Sequence, residues 1–201
     1  MAWRQSIGIA KRRLRLILSF LWRWELKFIG VTWDSPPVLC GRPFVSRCDG
    51  SVIKWGRGVC LDSSRRNNPL GGEKPCIVRT LTPAARIELG NEVGLSNSTI
   101  VAGNSVTIGE STILGAGCMI LDNDFHSYGP GFSWLTEYQK TSKPIKIGRG
   151  CFLGARVIVL KGVTLGDRVI IGAGSVVTRD VPSHSIAAGN PAKVVFAREP
   201  H

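Results

Sequence analysis

Three histidines, a scatter of carboxylates and six cysteines are the side chains in this 201-residue sequence that could move a proton or attack a carbonyl. His201 is the last residue and His184 follows the regular part of the chain. His126 closes the run Asp122-Asn123-Asp124-Phe125-His126, at the head of a patternless stretch that lasts until Lys146. Imidazole changes its protonation near neutral pH, so a histidine placed at such a break suits a general base. Asp122, Asp124 and Glu137 stand near enough in sequence to orient it; the plainer alternatives are that Asp124 bends the chain and Glu137 is solvated. Cys40, Cys48, Cys60, Cys76, Cys118 and Cys151 form no CxxC pair and no metal-ligand spacing, and they read as reduced thiols. No GxxxxGK[ST] phosphate cradle occurs, so nucleotide hydrolysis has no support.

What positions His126 is a six-residue period that begins near Ile77. With an aliphatic residue at position one, a small or β-branched residue stands at position five. Leu89…Val93, Leu95…Thr99 and Val101…Ser105 share one phase, and one extra residue follows. Ile108…Thr112, Leu114…Cys118 and Ile120…Asp124 continue the pattern. After the long break come Ile147…Cys151, Leu153…Val157, Val159…Val163, Leu165…Val169 and Ile171…Ser175. Short strands of this kind bury little alone, but three joined by tight corners make a triangular coil, and stacked coils bury continuous aliphatic columns. Glycine at position two spares a Cβ clash at the corner. Position five must be small because three such side chains converge inside each coil, so Cys118 and Cys151 should point inward as small hydrophobes rather than act as nucleophiles.

The remainder divides into a basic amphipathic helix over 1–30, an irregular region over 31–76 and a tail over 196–201. The formal charge is +12, and about half of it sits in the first thirty residues: Arg4, Lys11, Arg12, Arg13, Arg15, Arg23 and Lys27 against Glu25 alone. The apolar run Leu16 to Trp22 is far shorter than the roughly 20 residues a membrane span needs. No small-residue cleavage site follows it, which argues against a cleaved signal peptide. Trp3, Trp22 and Trp24 beside these cations leave two readings open: peripheral contact with a membrane, or a helix that docks on the protein itself. The charge elsewhere is too diffuse to call for nucleic acid, and the setting expected is the cytoplasm, with the inner membrane face as an option.

Several segments together resemble the hexapeptide-repeat acyltransferases, nearest to the maltose, galactoside and polysaccharide O-acetyltransferases. They are Val106-Thr107-Ile108-Gly109, His126, Pro144-Ile145-Lys146-Ile147-Gly148, Ile171 through Pro182, and Ala188-Gly189-Asn190-Pro191-Ala192-Lys193-Val194-Val195. The resemblance covers 77–195. It implies an all-β, left-handed parallel β-helix, a homotrimer with active sites between subunits, and acetyl-CoA as co-substrate with no metal. It further implies His126 as the base and Asn97 as a residue lining the active site; Asp124 and Glu137, chosen by their place in the loop, complete the expected substrate-binding set. Ala155, Ala173, Thr178, Arg179 and Lys193 fall on coenzyme A-contacting positions. Phe152-Leu153-Gly154 departs from the family's frequent Trp-Ile-Gly, and residues 1–76 do not match the sugar acetyltransferases' leader. The acceptor implied is a hydroxyl of a sugar or polysaccharide precursor. An aminosugar or other amine is the alternative, and a non-catalytic solenoid scaffold a further one. A zinc enzyme on the same solenoid would need three histidine ligands, which the repeats do not supply.

Overall fold

Short strands dominate the computed structural model, which describes residues 18–64 and 68–197. They stack into three parallel sheets visited in strict rotation. The first sheet stacks Thr32–Trp33, Val52–Trp55, Arg86–Leu89, Ser105–Ile108, Ile145–Ile147 and Thr164–Leu165. The second starts at Val38–Cys40 and the third at Phe44–Ser46, so each coil turns three corners and returns to the first sheet one layer higher. The result is a three-sided prism, a parallel β-helix.

The register shows why the period is six. Trp55, Leu89, Ile108, Ile147 and Leu165 stack as one inward column, Leu61, Leu95, Leu114, Leu153 and Ile171 as a second, and Val78, Ile100, Ile120, Val159 and Val177 as a third. All are buried, and each such aliphatic side chain contributes roughly 1.5–3 kcal/mol relative to exposure. Position five also points inward, as expected: Val93, Thr112, Cys118, Val157, Val169 and Ser175 are fully buried.

Glycine at position two proves to serve stacking between coils. A Cβ on Gly154 would lie 2.6 Å from the Ala173 amide nitrogen in the coil above, with no flexible group to give way. The corner is turned at position four, where Arg156 has φ 59° and Gly174 φ 71°.

Two expectations change. In the third sheet the inward small residue is Ser98, fully buried, while Thr99 stands half-exposed on the outer face and Asn104 and Ser105 are not buried. Asn97 adopts φ 46° and turns the corner with one residue fewer, which shifts the phase from 95 to 105. Residues 31–76, expected to be irregular, already supply strands to all three sheets between Thr32 and Asp62. The pattern is hidden there because an aromatic side chain replaces the aliphatic one: Trp55-Gly56…Val59, then Leu61, is a hexapeptide with tryptophan at position one.

Residues 18–29 are helical and precede the first coil. Leu26 is buried in the core, with Trp22 and Ile29 packed against it. Residues 1–17 of the expected 1–30 helix, and 198–201 of the tail, lie outside the described residues. At the other end, Ala192–Ala197 folds back antiparallel on Ser185–Gly189.

Candidate active site

The long break in the period is an extruded loop rooted at one corner of the prism, between the third sheet and the first. Its root is held by Asp122, which is fully buried and accepts hydrogen bonds from the backbone N–H groups of Gly103 and Asn104, each at 2.7 Å. Asn123 Nδ2 donates to the same carboxylate at 3.0 Å, and its Oδ1 accepts from the Phe125 N–H. Beyond the root, Ser127–Tyr128 pairs antiparallel with Trp134–Leu135, and a short helix spans Tyr138–Thr141. Asp122 is therefore a structural anchor and does not orient the imidazole. An orphaned buried N–H costs roughly 1–3 kcal/mol. Asp122→Ala is thus expected to lower the urea midpoint of unfolding clearly, whereas Asp124→Ala at an exposed carboxylate should shift it little; chemical denaturation followed by circular dichroism checks both.

His126 is exposed on this loop. Its N–H donates to the Asp124 carbonyl at 2.7 Å, and Nδ1 lies 3.4 Å from Thr136 Oγ1. That leaves Nε2 without a side-chain partner among the described residues. The neighbouring carboxylates are engaged elsewhere: Asp124 pairs with Lys161, and Glu137 with Lys140 and Ser127 Oγ. The Lys140 hydrogen bond, then that from Ser127, holds the Glu137 carboxyl below the usual range.

A second feature lies along another corner, between the second and third sheets. A groove of about 670 Å³ runs up four coils, lined in turn by Asn97, by Ala116 and Gly117, by Ala155 and Arg156, and by Ala173 and Gly174. Small residues at successive corners bare the backbone, so an elongated ligand can lie against peptide groups. Near its first coil the groove is walled by residues 70–74. Asn97, 5% exposed, holds that wall: its Oδ1 accepts from Asn68 Nδ2 at 2.7 Å and its Nδ2 donates to the Lys74 carbonyl at 2.6 Å. Arg156 closes toward Glu73 at 3.5 Å.

Among the expected site residues, Asn97, Ala155 and Ala173 therefore meet in one groove. His126, Asp124 and Glu137 share the loop at another corner. Thr178 and Arg179 follow the last strand of the third sheet at that same corner, both exposed. Lys193 is exposed on the terminal antiparallel strand. One chain does not unite these groups. The wall around Asn68 and Lys74 was not singled out from the sequence; Pro69-Leu70-Gly71-Gly72 signals a turn but not what it covers.

Cys76, Cys118 and Cys151 are buried and behave as small core residues, while Cys40, Cys48 and Cys60 are only partly buried. Burial pushes the Cys118 thiol up to about 11, and its Sγ lies 3.1 Å from the Gly154 carbonyl. Burial raises Cys151 likewise. A thiol so held is a poor nucleophile. Among the described residues no group of three or more His, Cys, Asp or Glu is arranged to hold a metal ion.

Comparison with known proteins gives the fold its family context. The family model described as the hexapeptide repeat of succinyl-transferase matches residues 144–179. The chain is 39% identical over 117 residues to serine acetyltransferase 2 of Arabidopsis thaliana, a match covering 58% of this chain and 32% of that protein. It is 33% identical over 105 residues to the galactoside O-acetyltransferase of Escherichia coli, covering 49% and 47%. Among solved structures, a hexapeptide-repeat acetyltransferase from Vibrio cholerae complexed with acetyl coenzyme A superposes with a TM-score of 0.55 at 24% identity, covering 76% of this chain and 73% of that one. The chain spans about a third of the length of the first curated relatives it matches. With its three-sided coil, the fold is a left-handed parallel β-helix, and residues 144–179 carry the hexapeptide repeat. In sequence it resembles acetyltransferases, the galactoside O-acetyltransferase and serine acetyltransferase 2 included.

Proposed function

We propose that the protein transfers an acetyl group from acetyl-CoA to a hydroxyl of a sugar or saccharide precursor, within a homotrimer. The observation that carries this reading is the backbone-lined corner groove, which suits an extended pantetheine-like arm, taken with the names of the matched relatives. Ala155 and Ala173 line the proposed thioester arm. Thr178, Arg179 and Lys193 are exposed to reach the anionic end of the cofactor, by hydrogen bonding and by charge. His126 Nε2 accepts the hydroxyl proton as the oxygen attacks the thioester carbonyl, and a groove N–H stabilises the oxyanion. The C–S bond then breaks, and the proton passes to the departing thiolate.

The outer faces support the trimer. The first sheet presents Thr32, Lys54, Glu88, Thr107, Lys146 and Thr164 outward and is polar. The second presents Val38, Ile113, Phe152 and Phe196, and the third Phe44 and Met119, all more than a third exposed. Two apolar faces meeting at the groove fit a closed ring in which the second face of one copy meets the third face of the next. The proposed transfer requires one copy's loop to reach its neighbour's groove, because His126 and the groove stand at different corners of one chain. Tyr128, Phe132 and Trp134, all well exposed on that loop, then gain cover.

A panel of hydroxyl- and amino-bearing saccharides, assayed with acetyl-CoA by free-thiol release, tests the reading. The expected result is release that depends on a hydroxyl acceptor and a trimeric mass in solution. Release only with amino sugars would move the reading to N-acetylation. Silence with every acceptor, together with no binding of coenzyme A by calorimetry, would leave a scaffold.

A further inference from the structure

Residues 18–29 form a helix with two apolar sides, and only one of them has cover. Leu26 is buried in the end of the prism, with Trp22 and Ile29 packed beside it. Phe20, Leu21, Trp24 and Phe28 are 56%, 54%, 61% and 95% exposed. At about 100° per residue, these four centre almost diametrically opposite the docked three. Phe20 and Trp24 touch edge to face with ring centroids 6.2 Å apart, and with Leu21 and Phe28 they make an exposed apolar ridge.

We infer that this ridge docks on an anionic lipid surface, a contact independent of acyl transfer. Amphipathic helices that lie in a bilayer interface combine such a ridge with nearby basic charge. The sequence supplies that charge: seven Lys and Arg residues in the first thirty against Glu25, which is itself neutralised by Arg42 at 2.5 Å. The complementarity also decides between occupants. A second copy would bring the same positive segment and be repelled, whereas an anionic leaflet attracts it. Two contacts tie the helix to the first coil. Arg23 Nε donates to the Pro37 carbonyl at 2.9 Å, and Lys27 Nζ lies 5.5 Å over the Trp33 ring. No described helix is long and apolar enough to cross a membrane, which leaves docking in the interface plane.

The test is co-sedimentation of the full chain with vesicles of phosphatidylcholine plus phosphatidylglycerol, and with phosphatidylcholine alone. The full chain is expected to pellet with the anionic vesicles and to be only partly released by high salt, because buried aromatics do not respond to screening. A Trp24→Ser, Phe28→Ser double variant should lose affinity by on the order of tenfold or more, with an unchanged thermal melt and unchanged size in solution. Three results would overturn the inference: no pelleting of the full chain, equal pelleting with neutral vesicles, or full retention by the double variant. A smaller particle for the double variant would instead make the ridge a contact between copies and overturn the lipid assignment. None of these readouts uses catalysis, so the outcome is separate from that of the acyl-transfer assay.

Discussion

Replacing His126 with alanine is expected to lower acceptor-dependent thiol release by a factor on the order of 10² to 10⁴, the usual contribution of a positioned general base. The side chain is exposed, and its one side-chain partner among the described residues is Thr136 Oγ1 at 3.4 Å, so the fold does not depend on it. Surface substitutions of this kind stay within about 0.5 kcal/mol of the parent. The thermal melt should therefore be unchanged, and so should coenzyme A binding, since the groove is lined by other residues. Together the three measurements separate a chemical role from a structural one. Turnover within a few-fold of the parent would remove His126 from the mechanism. A parallel loss of coenzyme A affinity would show instead that the histidine shapes the cofactor site. Thr136→Val is a useful companion: it removes the hydroxyl at Nδ1 but leaves Nε2 in place. A smaller loss there than at His126 would mark Thr136 as a residue that orients the ring.

The repeat was legible wherever side-chain volume alone decides it. Val157, Cys118 and Ser175 are small and buried, and their six-residue spacing needs no tertiary knowledge to be seen. It became illegible where one residue does two jobs. Asn97 turns a corner at φ 46° and also pins the groove wall, and the coil it belongs to is one residue short. A strict period therefore placed Thr99 inward, although it lines the groove from outside. Trp55 hid the earlier coils for the opposite reason. Its ring fills the prism interior that Leu or Ile fills elsewhere, and its Nε1 is a buried donor without a partner among the described residues. The loop as a functional insertion could be read from its length and from His126. The commitment of Asp124 to Lys161 could not, because that lysine lies 37 residues away; Glu137 and Lys140 are i,i+3 neighbours whose pairing shows only once the short helix Tyr138–Thr141 is known. Sequence proximity gathered the carboxylates about the imidazole; folding drew them away.

Val157→Asp and Arg156→Asp, substitutions at adjacent residues, are expected to part sharply. Val157 is fully buried at position five, where its side chain meets those of the neighbouring coils. A carboxylate there has no partner, and burying an unpaired charge costs several kcal/mol. That is a large share of the roughly 5–15 kcal/mol by which a domain of this size is stable. Val157→Asp should give insoluble protein, or soluble protein without a cooperative melt. The side chain of Arg156 points outward and is 79% exposed, and its pair with Glu73 at 3.5 Å lies in solvent, where such pairs contribute about 0–1 kcal/mol. Its φ of 59° is one that Asp tolerates better than most residues. Arg156→Asp should therefore fold and melt within a few degrees of the parent. It should still bear on the groove, because two carboxylates would then face each other across the wall at Glu73, so weaker coenzyme A binding with an intact melt is expected. If the two variants behave alike in solubility and melting, the inward register of the whole third column is misplaced, and with it the corner on which the groove is built.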